Sequence, residues 1–189
     1  MPTSSTRAEF EFCICGPTTR FRSTNQSLRF TQEPIGTPDV IVGHFGTSDN
    51  NDWRMFINGG DFNLNVDYGN ARATSSKKFN EVGIWHKSII GPGCYGKLDD
   101  VELRGSTSGS LANSTIKLFS ESPTCTSSNT SGDYGWLGFK YVKIFEGDVL
   151  KMDLVPAKKE GVACFFDKLD GKTYFGLNKS LTFKTKDLT

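Results

Sequence analysis

The sequence predicts an all-β protein, built as a two-sheet sandwich or a barrel, and three observations carry that expectation. Apolar residues recur at every second position through most of the chain. Gly, Pro, Asn and Asp punctuate those runs at short intervals, and no segment holds a 3.6-residue apolar period for three turns. The composition agrees, since 15 Phe and 20 Gly suit pleated strands joined by tight turns. A chain of 189 residues fits one domain, 1–189, and is long enough to bury a core without staples.

The first strand lies in 8–15, Ala-Glu-Phe-Glu-Phe-Cys-Ile-Cys. There Phe10, Phe12 and Ile14 share one face, and Glu9, Glu11 and Cys13 share the other. Strands are expected next at 28–31, 40–45 and 53–57, and 62–67, Phe-Asn-Leu-Asn-Val-Asp, alternates most cleanly. Further ones follow at 81–90, 101–104, 115–120 and 139–145. Gly147 turns 143–150 into a hairpin whose second arm runs from 149 to Val155. Pro156 is expected to stop that arm, because it has no N–H for a ladder. A strand at 162–167, a turn at Asp170-Gly171, a strand at 172–175 and a last one at 181–184 complete the set. Segments 47–52 and 120–135 read as surface loops, because their Ser, Thr, Asn and Asp side chains satisfy local backbone.

The formal net charge is +1, from 22 Lys and Arg against 21 Asp and Glu, and no basic cluster exceeds a pair such as Lys77-Lys78. That excludes the electrostatic footprint of a nucleic-acid binder. No run approaches the about 20 apolar residues a membrane span requires, and 1–9 lacks the apolar core of a signal peptide. An extracellular destination therefore needs another route, such as release with a virion. The five cysteines are Cys13, Cys15, Cys94, Cys125 and Cys164. An odd count without an export signal points to thiols made in a reducing cytoplasm, and Cys13-Ile-Cys15 is not the spacing of a zinc or redox site. Asn25, Asn113, Asn129 and Asn178 stand in acceptor triplets for glycosylation, read as chance in a Ser/Thr/Asn-rich chain.

The stretch 139–174 resembles the closing half of concanavalin A-like, laminin-G-like domains of gut bacteria and their bacteriophages. In those a hairpin strand ends in Asp-[Leu/Phe]-Val-Pro, as Asp153-Leu-Val-Pro156 does here, followed by Gly-Val, an aromatic-Asp pair and a Gly-Lys turn. Gly83-Ile-Trp-His-Lys-Ser-Ile89 resembles the Trp-His strand of laminin-G and pentraxin sandwiches, 114–121 the strand after it, and 2–12 an early strand. The resemblance implies an all-β antiparallel sandwich of the jelly-roll, concanavalin A-like kind. Where such domains place Gly ahead of the aromatic-Asp pair, this chain has Cys164. Such domains also open with one strand ahead of 2–12, so an open N-terminal sheet edge is expected, covered by a second copy in a homo-oligomer or by a partner protein.

The fold alone assigns no activity. Retaining glucanases of this fold need two carboxylates on one strand face about 5 Å apart. The nearest stretches, Glu9-Phe-Glu11 and Asp99-Asp-Val-Glu102, do not complete that motif. The two histidines, His44 and His86, sit in strand patterns and read as packed structural residues, and neither a nucleophile elbow nor a phosphate loop is present. Glycan binding has better candidates: Asp49, Asn51 and Asp52 beside Trp53, and Tyr134 with Trp136, where rings stack on sugars and loop polar groups hydrogen-bond. The competing reading is that these rings pack into the core. No cofactor is expected, and Ca2+ at 49–52 has only a loose cluster of oxygens to support it. The sequence thus points to a non-catalytic structural protein, a bacteriophage virion component such as a fibre, decoration or capsid-associated protein. A carbohydrate-binding, lectin-like module is the alternative.

Overall fold

The computed structural model describes residues 3–14, 41–46, 52–58, 62–79, 81, 83–106, 111, 116–118 and 137–175. Their strands, in chain order, are β1 (Thr6–Ile14), β2 (Ile41–Gly46), β3 (Asp52–Asn58), β4 (Asn63–Gly69), β5 (Ala71–Lys78), β6 (Trp85–Gly91) and β7 (Tyr95–Leu98). Then come β8 (Val101–Arg104), β9 (Lys117–Leu118), β10 (Leu137–Glu146), β11 (Val149–Lys159), β12 (Val162–Asp167) and β13 (Thr173–Phe175). They form two antiparallel sheets, one of eight strands in the order β13-β12-β11-β10-β1-β6-β7-β8 and one of five in the order β5-β4-β3-β2-β9. The protein is an all-β sandwich, as the alternation predicts, and the arrangement is compatible with a jelly roll.

The two sheets close on a core that takes alternate residues from each. Phe10 and Phe12 of β1, Ile90 of β6, Leu98 of β7 and Val142 of β10 meet Trp53, Met55 and Ile57 of β3 and Leu64 and Val66 of β4. Period-two patterning puts these side chains on one face of each sheet, so burying that face joins the layers. The fit is close at Gly96 of β7, where an added Cβ would lie 2.4 Å from Val66 Cγ2, so only glycine lets the larger sheet approach β4 there. Turns follow the backbone freedom of their residues: Gly147 at φ 57° closes the β10–β11 hairpin.

Several expectations change. Pro156 does not end β11, which continues to Lys159. Asp167 N–H donates to Lys172 C=O, so alternation makes Phe165 and Tyr174 the next bonded pair of the β12–β13 ladder. Phe165 therefore turns its backbone groups away from β11, and Pro156 opposite it needs no N–H on that side. On the other side, the β10 pairing ends at Val142 opposite Leu154. A proline costs the sheet no bond there.

Strand β5 was not expected, because its buried positions Ala71, Ala73 and Ser75 are small rather than conspicuously apolar. β7 was hidden behind the Gly91-Pro92-Gly93 turn signal and its own Gly96. β6 begins at Trp85, not at 81. The expected open edge at the N-terminal strand is also corrected. β1 pairs with β10 on one side and β6 on the other, so the edges of the larger sheet are β8 and β13. Cys13 is disulfide-bonded rather than a thiol, its partner lying outside the described residues, while Cys94 and Cys164 are buried thiols. The expected strands at 28–31 and 181–184 lie outside the described residues. Among the described residues, no helix is long and apolar enough to cross a membrane.

Candidate functional site

The residues proposed from sequence for sugar binding do not come together as a described site. Asp49, Asn51, Tyr134 and Trp136 lie outside the described residues, as does the side chain of Asp52, whose backbone opens β3. Trp53 is fully buried in the core, and its indole N–H donates to Gly91 C=O at 3.2 Å. A ring enclosed in this way has no face for a pyranose, so the core-packing reading of Trp53 is the one its burial describes. Among the described residues, no group of three or more His, Cys, Asp or Glu is placed to hold a metal ion.

The catalytic candidates sit in paired arrangements. Glu9 accepts from Arg7 and Glu11 from Lys140, and both lie on the outer face of β1. Arg104 Nε donates to Glu102 at 2.9 Å. His86 is buried facing the core, its Nδ1 2.7 Å from Asp99 Oδ2, with its ring against Phe12 and Phe79. Asp99, at φ 51°, also accepts the Lys87 N–H at 2.9 Å, which fixes the β7–β8 turn against β6. The His86 imidazole of this pair is packed against the Phe12 and Phe79 rings, while the Asp99 side chain remains partly exposed.

The outer face of the larger sheet carries a ladder of rings and charges. Registry places Glu11 between Tyr141 and Lys87, and Glu9 between Lys143 and Ile89. Lys140 Nζ lies 4.4 Å from the centroid of the Trp85 ring and Arg7 Cζ 4.1 Å from that of Phe145. The Tyr141 phenol is pushed up by burial and by the nearby Glu11 and Glu9 carboxylates. A second cluster occupies the outer face of the smaller sheet, where Asp67 accepts from Arg54 at 2.8 Å and from Arg72 at 2.6 Å.

The most distinctive surface lies at the other end of the larger sheet. Of the exposed large hydrophobic side chains among the described residues, Val162, Phe166, Leu169, Tyr174 and Phe175 all belong to β12, β13 and their turn; only Ile84 and Val149 lie elsewhere. Registry puts Phe166 opposite Thr173, and Cys164 opposite Phe175, on the outer face. Tyr174 shares the inner side with Phe165, whose ring packs on Phe139, yet it is 40% exposed. Among the described residues the smaller sheet therefore does not cover β13, and the edge is apolar on both sides.

Asp167 holds this edge in place. It is 1% exposed, and its Oδ1 accepts the Asp153 and Leu169 N–H groups at 3.1 and 3.0 Å. Sequence reasoning located these strands but not their significance. The signal was the pair of aromatic doublets, Phe165-Phe166 and Tyr174-Phe175, which break the alternation and so put apolar rings on both faces.

The class that this geometry defines is an antiparallel β-sandwich with one apolar edge that no described strand covers. Comparison with protein-family models, with curated proteins and with solved structures finds no match.

Proposed function

We propose that the chain is a non-catalytic structural protein that associates with copies of itself, a virion component of the fibre, decoration or capsid-associated kind. The observation that carries the reading is the gathering of exposed apolar side chains on β12 and β13, at one edge of the larger sheet. Apolar surface concentrated in this way marks an interaction site, because exposure to water costs free energy that association recovers. The virion assignment rests on the sequence resemblance of 139–174, and the oxidised Cys13 suits a protein that works outside the cell. Light scattering over a dilution series tests it: the chain should show mass above the 20.9 kDa of one copy, falling as it is diluted. A monomer at every concentration contradicts the reading.

Glycan binding is the second reading, and the ladder on the outer face of the larger sheet is what favours it. Trp85 and Tyr141 stand there partly exposed beside Glu11 and Lys140, combining rings with directional polar groups. Binding on a glycan array that survives in the wild type and is lost in Trp85→Ala would support it; an array without binding removes it.

A further inference from the structure

We infer that β13 is the self-association element: two copies add their β13 strands edge to edge, antiparallel, about a two-fold axis at Tyr174. This rests on the reading of the chain as a self-assembling protein and names the surface that does it.

The backbone decides which groups are free. Asp167 N–H bonds Lys172 C=O at 2.8 Å, and the register continues without a shift through Phe166 opposite Thr173 to Phe165 opposite Tyr174. In an antiparallel ladder bonded and non-bonded pairs alternate. Phe165 and Tyr174 are therefore a bonded pair, and Thr173 and Phe175 turn their N–H and C=O groups away from β12, towards the edge that no described strand pairs with. A second β13 related by a two-fold axis at Tyr174 sets Thr173 of each copy opposite Phe175 of the other. Each such pair exchanges both backbone bonds, so the same two residues complete each other twice.

Charge selects the same edge. Thr173, Tyr174 and Phe175 carry none, so like charges do not meet when two copies approach. The far edge of the larger sheet, β8, presents Glu102 and Arg104, and β5 at the edge of the smaller sheet ends in Lys77 and Lys78. Charged edge strands resist pairing with other chains, and β13 lacks that protection. Pairing also joins apolar patches, since Phe175, Phe166 and Val162 continue onto the same residues of the other copy on the outer face, while the two Tyr174 rings meet on the inner side.

Two variants of the full chain test the geometry. Phe175→Pro removes an edge-directed N–H and leaves the bonds between Phe165 and Tyr174 intact, as proline is tolerated on the open side of an edge strand. It is expected to weaken self-association at least about tenfold in light scattering, because symmetry removes the bond twice, with thermal unfolding unchanged. Tyr174→Cys places two thiols on the axis in a non-bonded pair, with Cα atoms about 4.5 Å apart, inside the span of a disulfide. With copper–phenanthroline as oxidant it should cross-link to a covalent dimer, and Val149→Cys, exposed at the start of β11, should not.

Undiminished association in Phe175→Pro with no cross-link at 174 overturns the assignment to β13 and leaves self-association standing. A wild-type chain that is monomeric throughout overturns both. If Phe175→Pro fails to fold, cross-linking of Tyr174→Cys against Val149→Cys decides alone, and equal yields from the two contradict the inference.

Discussion

Trp53 on β3 gives its indole N–H to the carbonyl of Gly91 at the end of β6, 3.2 Å away, and so ties the smaller sheet to the larger across the core. The side chain is fully buried, and its removal leaves a cavity and takes a side-chain donor from the Gly91 carbonyl. Trp53→Ala should cost about 3–5 kcal/mol in urea unfolding. Trp53→Phe, which keeps most of the volume and loses the bond, should cost about 1–3 kcal/mol. A loss below 1 kcal/mol for Trp53→Ala would mean that the two sheets are not joined through this ring.

The His86–Asp99 contact helps hold the β7–β8 turn against β6. Asp99→Ala leaves the buried Nδ1 without its acceptor and puts a Cβ-bearing residue with no polar side chain at φ 51°, so a loss of about 1–3 kcal/mol is expected. Asp99→Asn keeps an oxygen for the bond and tolerates the left-handed backbone, and should lose clearly less. Equal losses in chemical denaturation would show that the hydrogen bond to His86 contributes nothing.

Glu146 closes the N-terminal turn onto the β10–β11 hairpin. Hydroxyls of Ser5, Thr3 and Thr6 donate to its carboxylate, and the bonds from Ser5 and then Thr3 are the main cause that holds its pKa below the ordinary carboxylate value. A carboxylate depressed in the folded state stabilises above its unfolded pKa, about 4.3, and loses that contribution as pH falls through the folded value. The stability gap between wild type and Glu146→Gln should therefore be constant near neutrality and close below about pH 4. A gap that persists into acid contradicts the assignment.

Pro156 lies inside β11 with its nitrogen directed away from β12, where the pairing with β10 has already ended. Replacing it should not repair a ladder. Pro156→Ala frees the unfolded chain instead, and a loss of about 0.4–1 kcal/mol is expected. A gain in the unfolding midpoint would mean that the proline interrupts a bond that alanine can make.

Much of the architecture is legible in the chain. β4 announces itself by the alternation of Leu64, Val66 and Tyr68 with Asn65 and Asp67, and β8 and β12 have the bounds that their patterns give. β5 is not legible, because its inward positions are small: Ala71 and Ala73 fit beneath the closely approaching β8 strand where larger side chains would not, and small residues give no apolar rhythm. The glycan candidates show a different limit. Trp53 beside a run of Asp and Asn fits both an exposed platform and a core anchor, and only the packing of β3 against β6 separates them. The β13 edge was hidden for a related reason, since the order of strands in a sheet depends on pairings distant in sequence. β1 beside β10 is one such pairing, and it moves the edge from the N-terminus to β13.

Amide hydrogen exchange at β13 as a function of protein concentration tests the central claim most directly. Tyr174, bonded to Phe165, should be protected at every concentration, while Thr173 and Phe175, whose N–H groups face the open edge, should gain protection as the chain associates. If Thr173 and Phe175 exchange at the same rate in dilute and concentrated solution while the mass rises, β13 is not where the copies meet.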